Sequence, residues 1–374
     1  MIILNPKGSR ISMDVMKAAI RSMEKGPMRT SLGGLNPTGA SVMRTNNYGE
    51  KVKQGKCNRQ VWYSKNKIPR TNEMDDITFV RFEVGNAMEE SLQQHWLRQG
   101  LLIDGNIKMK GNINTEEEPV IISGEVDALL RHCETDGEGN PTSISKTKAV
   151  GIEVKTTRGY GARKTIGDKE FRNGTPRLSY VLQTAVYVKM KQRLEEYYNV
   201  EITHFEIWYV MVDSCITKGF KVWLEDGDSG RVMVSDMDNN IIKSDAGFCM
   251  DKSNVIGENY QTEGDFTIED VIEQYIVQRD MIEEDSPPPR DFTVRHSDEV
   301  LEKMWKRGLI AKTNWAKIEK GSKYLTCSDV NGVGDWNCAF CDWRDECYPL
   351  GALTIPVENG EMTTEEAMKE LGFE

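Results

Sequence analysis

The sequence predicts an α/β protein in which a mixed β-sheet is flanked by helices. Apolar residues recur every three to six positions across residues 79–99 and stop at Gly100, as they do in an amphipathic helix. Apolar stretches at 120–130 and 149–155 surround an acidic, Gly-rich turn, which indicates a β-hairpin. A second long helix is predicted over 177–198 with further strands after it, so helices and strands alternate along the chain.

Later segments extend this pattern. Strands are predicted at Phe205–Val212 and Phe220–Leu224, with a turn between them. Residues 267–284 predict an acidic amphipathic helix that ends at a run of three prolines, and residues 296–307 predict another short helix. The chain therefore continues to supply both strands for the sheet and helices to cover it.

Three segments are expected in the domain organisation. Residues 1–50 are rich in Gly, Ser, Asn and Met, and we expect a partly ordered extension with a short helix near Met13–Met23. Residues 51–355 are expected to form the main domain, and residues 356–374 an acidic tail.

Composition favours a protein of the cytoplasm. The chain has 374 residues and 38% hydrophobic content, which supports a sizeable core. No apolar run approaches the roughly 20 residues of a membrane span, and the start lacks a secretory signal pattern. We therefore expect reduced thiols, so any of the eight cysteines that cluster are more typical of metal binding than of disulfides.

The charge of the chain is segregated. A net charge of −11 opposes a nucleic-acid partner, because DNA-binding domains usually present a basic face. Residues 51–70, however, carry seven Lys or Arg and no acid, and residues 146–177 carry nine basic residues against three acidic ones. Residues 263–285 carry nine acids and one Arg. The basic segments are able to hold a phosphate backbone locally, although such runs are also typical of an ordinary solvated face.

Two carboxylates and one ammonium are predicted to meet on the hairpin. Side chains alternate in direction along a strand, so Glu153 and Lys155 project to one face while Val154 turns into the core. If the two strands pair, Asp127 reaches the same place. Mg²⁺ takes carboxylate oxygens, and Lys155 would orient water or offset negative charge, which is what phosphodiester cleavage needs. A Glu-x-Lys triplet is also common as a surface pair, and that alternative stays open.

Two helices add candidates to this group. Gly85 and Glu89 share one helix face, so the glycine would let the helix approach the sheet and Glu89 would add a third carboxylate. Gln183 and Tyr187 are also four residues apart, and they are candidates for contacts with a phosphate or a base. The alternatives are a solvated Glu89 and an ordinary buried Tyr187.

A cluster of cysteines near the C-terminus predicts a metal site. Cys338, Cys341 and Cys347 lie within ten positions, and a fourth thiol is needed for a four-cysteine site. Cys57, in a basic aromatic segment, is the preferred fourth ligand, and Cys327 is the local competitor. Zinc and a 4Fe–4S cluster both accept four thiolates, and the spacing favours iron–sulfur only slightly.

Taken in order, these motifs resemble the RecB-like branch of the PD-(D/E)XK nucleases, above all the CRISPR-associated four-cysteine exonucleases and the cluster-bearing nuclease domain of AddB. The resemblance spans about residues 51–350. The motifs that carry it are Cys57-x-Arg59-x-x-Trp62-Tyr63, Gly85 with Glu89, Gly-x-x-Asp ending at Asp127, Glu153-x-Lys155, Gln183-x-x-x-Tyr187, and the cysteines 338, 341 and 347. Two positions depart from the family pattern: Glu89 stands where a His is common, and Val126 stands where the nominal Pro would be.

The resemblance implies a restriction-endonuclease-like core with a C-terminal iron–sulfur lobe. It implies Asp127, Glu153 and Lys155 as catalytic residues, and Mg²⁺ or Mn²⁺ held by Glu89, Asp127 and Glu153. It further implies a 4Fe–4S cluster on Cys57, Cys338, Cys341 and Cys347, and DNA contacts from Gln183, Tyr187 and Arg59.

The implied activity is an exonuclease acting on single-stranded DNA ends in recombination, repair or CRISPR-like DNA processing, and some relatives are encoded by phages. A helicase would have to be a separate protein, because no Walker-type motif is present. Two rivals remain at this point. One is a catalytically inactive DNA-binding module with a structural iron–sulfur or zinc site, and the other is a zinc-stabilised interaction protein unrelated to nucleases.

Overall fold

The structure is a computed structural model. It describes residues 34–46, 51–72, 76–136, 138, 141–167, 174–225, 230–242, 262–263, 266–306, 308, 310–321 and 324–371. The helix expected near Met13–Met23 and the cysteine at position 249 lie outside the described residues.

A mixed β-sheet forms the centre of the fold, as predicted. Among the described residues it has six strands in the order β3-β4-β5-β6-β7-β8. Only β5 and β6 are parallel neighbours; the other neighbouring pairs of this sheet are antiparallel. The strands are β3 (Leu102–Asn112), β4 (Ile121–Thr135), β5 (Pro141–Thr157), β6 (Glu201–Met211), β7 (Thr217–Leu224) and β8 (Val232–Asp236). The hairpin predicted over 120–155 is confirmed as β4 and β5, and the two later predicted strands are confirmed as β6 and β7.

A smaller sheet lies beside the main one. Its strands run in the order β2-β1-β9, with β1 at Ser41–Asn46, β2 at Lys51–Gly55 and β9 at Thr262–Glu263. Strand β1 belongs to the segment expected to be an extension, yet it pairs with β2 on the other side of position 50. The part of that extension that the structure describes is therefore built into the folded body.

Helices cover the sheet and complete the C-terminal part. They are α1 (Asn58–Lys65), α2 (Asp76–Arg98), α3 (Gly159–Ile166), α4 (Leu178–Met190), α5 (Gln192–Tyr198), α6 (Ile268–Ile282), α7 (Asp298–Lys306), α8 (Lys312–Lys320), α9 (Trp336–Ala339), α10 (Arg344–Cys347), α11 (Thr354–Glu358) and α12 (Thr364–Glu370). Helices α2, α6 and α7 confirm three predicted helices. Across the described parts of the chain, no helix has the length and apolar character to cross a bilayer.

The helix predicted over 177–198 is divided in two. Helix α4 ends at Met190 and α5 begins at Gln192, because the main chain tightens at Lys191. The Lys191 N–H donates to the carbonyl of Val188, three residues back, and its ammonium donates to the Ile202 carbonyl at 2.7 Å. The lysine thus ties the end of α4 to the start of β6.

Each face of the main sheet is covered by a helix. On one face Trp96 of α2 packs with apolar side chains of β4 and β5, among them Ile152 and Val154. On the other face α4 packs on β6 and β7, and Gly151 makes room there for a ring of β6. A Cβ on that glycine would lie 2.2 Å from the Phe205 ring, so no larger residue fits without a shift. The two helices flank the stretch of β4 and β5 that carries the predicted catalytic residues.

Candidate active site

The predicted carboxylates and lysine lie together on β4 and β5. Glu153 and Lys155 point to one side of β5 and form an ion pair, while Val154 is buried on the opposite side. The alternation expected from the sequence is therefore confirmed. Asp127 lies one position beyond the Ala128–Ile152 pair in the register, and its Oδ2 accepts a hydrogen bond from the Val154 N–H at 2.6 Å. The hairpin thus places both carboxylates beside one ammonium.

These side chains line an open cleft between α2, α4 and the sheet. The cleft has a volume of about 920 Å³, which is large enough for a substrate segment. The predicted residues on its walls are Glu89, Asp127, Glu153, Lys155, Gln183 and Tyr187. Four of the elements predicted from the sequence, two helices and the two strands of the hairpin, therefore contribute to one cavity.

Glu153 is the buried centre of this cleft. Its side chain is almost fully buried, and Oε1 accepts hydrogen bonds from Lys155 and, at 2.7 Å, from Gln183. Oε2 is buried without a hydrogen-bond partner. Burial, together with the nearby carboxylates of Asp127 and Glu89, raises the pKa of Glu153 to about 8 despite the opposing effect of Lys155. An unsatisfied carboxylate oxygen among other carboxylates is a position where a cation would be stabilised.

Lys155 supplies the positive charge of the cleft. Burial alone would lower its pKa, but the carboxylates of Glu153 and Asp127 outweigh burial and hold the pKa above its usual value. Its ammonium also lies 5.1 Å from the centre of the Tyr180 ring, within the range of a cation–π contact. Lys155 is therefore a cation at any ordinary pH.

Helix α2 brings Glu89 to the cleft, as the sequence predicted. A Cβ on Gly85 would lie 3.2 Å from Thr156 Oγ1, so the glycine permits the close approach of the helix to β5. Sequence reasoning missed Gln93, whose Nε2 donates to the Asp127 carbonyl at 2.8 Å and to Glu89 Oε1 at 3.3 Å. The available signal was its position, one turn after Glu89 on the same helix face.

Gln183 and Tyr187 line the cleft from the core side, and both side chains are nearly buried. The Tyr187 side chain is 2% exposed, its ring stacks on Phe205, and its hydroxyl donates to the Glu125 carbonyl at 2.8 Å. Stacking on a base needs an open ring face, so this burial does not support the base-contact role expected for Tyr187, which stays a prediction. Gln183 is 5% exposed, and its side-chain amide donates hydrogen bonds to Glu153 and Tyr187. The buried alternative considered from the sequence is the one that the structure favours.

The four cysteines predicted to act together line a second, smaller cavity. Cys57 lies at the start of α1, and Cys338, Cys341 and Cys347 lie on and between α9 and α10. Cys327, the local competitor, is buried nearby and does not line this cavity. The segment after α1 and the C-terminal cysteine segment are thus side by side.

Direct contacts hold these two segments together. The Asn72 N–H donates to the Asp342 carbonyl at 2.8 Å, and the Trp343 indole N–H donates to the Ile68 carbonyl at 2.9 Å. The Trp343 ring also stacks on Tyr63, with ring centroids 6.1 Å apart. Residues nearly the whole domain apart in sequence therefore form one local structure.

Arg59 belongs to the cysteine cavity. Its guanidinium donates to the Pro288 carbonyl at 2.5 Å and to the sulfur of Cys347 at 3.4 Å. Two of its donors are therefore engaged inside the protein, and the DNA contact expected for Arg59 stays a prediction. Arg59 instead places positive charge next to a candidate metal ligand.

The chemistry of both donor sets suits metal ions, although neither is preformed. In the part of the chain that the structure describes, no group of three or more His, Cys, Asp or Glu side chains is already arranged to hold a metal ion. Burial raises the pKa of Cys57 to about 12, so a metal would have to displace the thiol protons. The cysteine cavity measures about 20 Å³, near the space of one water, so a cluster requires the side chains to move apart. The unsatisfied Glu153 oxygen and the four converging thiols fit the two expected groups in donor chemistry.

Comparisons with known proteins add no family assignment. Neither a protein-family profile nor a curated protein sequence matches the chain. Among solved structures, the crystal structure of SSO0001 aligns with a TM-score of 0.30 and 15% identity, over 57% of this chain and 79% of that one. A likeness this loose carries no argument about fold or function.

Proposed function

We propose that this protein is a metal-dependent DNA nuclease with a restriction-endonuclease-like core, acting as an exonuclease on single-stranded ends. The observation that carries the proposal is the buried Glu153, whose Oε2 has no protein partner while Asp127, Glu89 and Lys155 surround it in an open cleft. The resemblance of the ordered motifs to RecB-like nucleases supports the same activity. Recombination, repair and CRISPR-like DNA processing are the contexts that this resemblance implies.

The residues of the cleft have separable roles. Glu89, Asp127 and Glu153 would hold Mg²⁺ or Mn²⁺, which when bound supplies an activated water and offsets phosphate charge. Lys155 is a permanent cation beside Glu153, and it stabilises the negative charge that develops on phosphate oxygens. Gln183 orients Glu153 by engaging Oε1, and this leaves Oε2 for another partner.

For the cysteine cavity we propose a 4Fe–4S cluster on Cys57, Cys338, Cys341 and Cys347, with zinc as the alternative. The first ligand precedes the nuclease core and the other three follow it, so a shared metal centre closes a loop of nearly the whole domain. By analogy with a long disulfide loop, such closure destabilises the unfolded chain by about 4–5 kcal/mol. The centre would act as a staple, apart from the cleft where hydrolysis occurs.

One observation favours the rival, a catalytically inactive DNA-binding module. The Asp127 carboxylate is hydrogen-bonded to the main chain of β5, and Glu153 is paired with Lys155, so the described carboxylates do not form a ready metal site. The rival predicts metal-independent DNA binding and no cleavage. The nuclease predicts that a divalent ion draws the carboxylates together and allows cleavage.

The experiment that separates them uses end-labelled DNA. Protein is incubated with single-stranded, double-stranded and circular single-stranded DNA in Mn²⁺ or Mg²⁺, with a chelator as control. The proposal expects shortening of linear single strands, little effect on circles, and no product with the chelator. DNA binding without any product in either metal would identify the inactive module.

A further inference from the structure

A phenylalanine stands exposed in the wall of the candidate cleft. Phe82 is 57% exposed, yet it lines the same cavity as Asp127 and Glu153. Covering an apolar ring of this size is favourable, so a ring exposed in a polar cleft is a candidate contact for an apolar part of a ligand. Neither the core nor the proposed hydrolysis accounts for this ring.

The position of Phe82 is set by the helix that carries Glu89. Gly85 anchors α2 against Thr156 at the end of β5, and Phe82 lies about one turn before that anchor. From Phe82 to Glu89 is seven residues, or roughly 10 Å along the helix axis. That distance corresponds to about three nucleotides of a stacked strand at roughly 3.4 Å each. The ring is therefore placed to meet a base close to the phosphate at the carboxylates.

Cations accompany this ring around the cleft. Arg81 and Lys108 are exposed on its walls, Lys155 lies deeper, and Tyr180 adds a second, partly exposed aromatic ring. Aromatic faces interleaved with cations are the arrangement that binds single strands, since rings stack on bases and cations contact phosphates. The cleft thus sets three cations, Arg81, Lys108 and Lys155, beside its four carboxylates, Glu89, Glu125, Asp127 and Glu153.

We propose that Phe82 stacks on an unpaired base of the strand whose phosphate lies at Glu153, and that this contact selects single-stranded over paired DNA. In a duplex both faces of each interior base are already stacked, so the ring gains a partner only when the strand is unpaired. The inference rests on the proposed function, because it takes the cleft as the place where the strand is cut. It assigns strand selection to Phe82, about two turns before the proposed metal ligand Glu89 on the same helix.

The test measures binding with cleavage switched off. An oligonucleotide carrying 2-aminopurine is titrated in chelator as a single strand and as a duplex, with wild type, Phe82→Ala, Phe82→Leu and Phe82→Trp. We expect Phe82→Ala to weaken single-strand binding roughly five- to hundred-fold, as one lost base stack does, with little change for the duplex. Phe82→Leu keeps apolar bulk without a π face and should also weaken binding, while Phe82→Trp should retain both binding and the quenching of 2-aminopurine.

Val84 gives a matched control on the same helix. It is 44% exposed and does not line the cleft, so Val84→Ala should bind both forms as wild type does. Single-strand binding by Phe82→Ala equal to that of Val84→Ala overturns the inference, as does an equal loss for single strand and duplex. If wild type cleaves DNA and Phe82→Ala binds single strands as wild type does, the nuclease activity stands and the role of Phe82 is refuted. If Phe82→Ala weakens single-strand binding but wild type does not cleave DNA, the strand contact of Phe82 stands and the nuclease activity is refuted.

Discussion

The side-chain amide of Gln183 donates a hydrogen bond of 2.7 Å to Oε1 of the buried Glu153. This contact joins α4 to β5 across the interior and fixes which oxygen of the carboxylate is free of protein donors. Tyr187, one turn later, accepts from the same amide at 3.2 Å and is tied to β4 through Glu125. The motif Gln-x-x-x-Tyr therefore acts on the carboxylate and on the hairpin.

Replacing Gln183 tests this positioning role. We expect Gln183→Ala to lower kcat about 10- to 150-fold, because one hydrogen bond to a charged group is lost, with DNA affinity in chelator unchanged. Gln192→Ala is the matched control, because Gln192 is exposed and contacts only Glu196 on its own helix. Kinetics that show a raised KM and weakened DNA binding with kcat intact would instead assign Gln183 to the strand.

The buried Glu153 predicts how stability depends on pH without metal. Its pKa is about 8 in the folded protein against an ordinary value of 4.5, so folding favours the protonated acid. The resulting stability is fully present below about pH 4.5 and is lost as the pH rises through about 8. Urea unfolding in chelator should show this decline for wild type and a flatter profile for Glu153→Gln. Identical profiles for the two proteins would contradict the assigned burial effect.

Much of the site followed from local rules. Alternation along a strand was enough to place Glu153 and Lys155 on one face, and spacing along a helix was enough to place Gly85 and Glu89 together. The burial of Tyr187 depends on how α4 packs on β6, where Phe205 takes the space above Gly151. No local pattern encodes that packing, which is why the spacing of the motif left the burial of Tyr187 open.

Contacts between residues that are distant in sequence could not be predicted from local patterns. Gln93 matters because the Asp127 carbonyl, far away in sequence, lies within its reach. Arg59 lies in a basic segment, and its partners Pro288 and Cys347 come from the opposite end of the chain. The position of Arg59 in a basic segment does not predict these internal contacts.

The cysteine cavity predicts a metal centre with a defined ligand set. Protein purified without oxygen should be brown and hold about four irons per chain by the stoichiometry of a 4Fe–4S site. Replacing Cys57, Cys338, Cys341 or Cys347 by Ala should lower iron content, solubility and melting temperature together, whereas Cys133→Ala and Cys215→Ala should not. Metal analysis that finds one zinc and no iron per chain would show that the site binds zinc, and the link between the two chain segments would still stand. Loss of metal in Cys327→Ala but not in Cys57→Ala would remove the staple.

We predict that Arg59 stabilises the fold and does not contribute to DNA affinity. Arg59→Met should lower the melting temperature, because it removes donors to Pro288 and Cys347. The affinity for DNA and its dependence on salt should stay as in wild type, since the guanidinium is engaged inside the protein. The measurement pairs thermal unfolding with DNA titrations at several salt concentrations. A reduced salt slope with an unchanged melting temperature would return Arg59 to the DNA surface.

The central claim is tested most directly by cleavage of an end-labelled single strand under single-turnover conditions in Mn²⁺. Wild type is compared with Asp127→Asn, Glu153→Gln and Lys155→Ala, each shown to be folded and to bind DNA in chelator. We predict that wild type cleaves the strand only when the metal is present, and that the three variants give no product above background. The reason is that the carboxylates hold the metal and Lys155 offsets the developing charge. Cleavage at the wild-type rate by any of the three variants would contradict it.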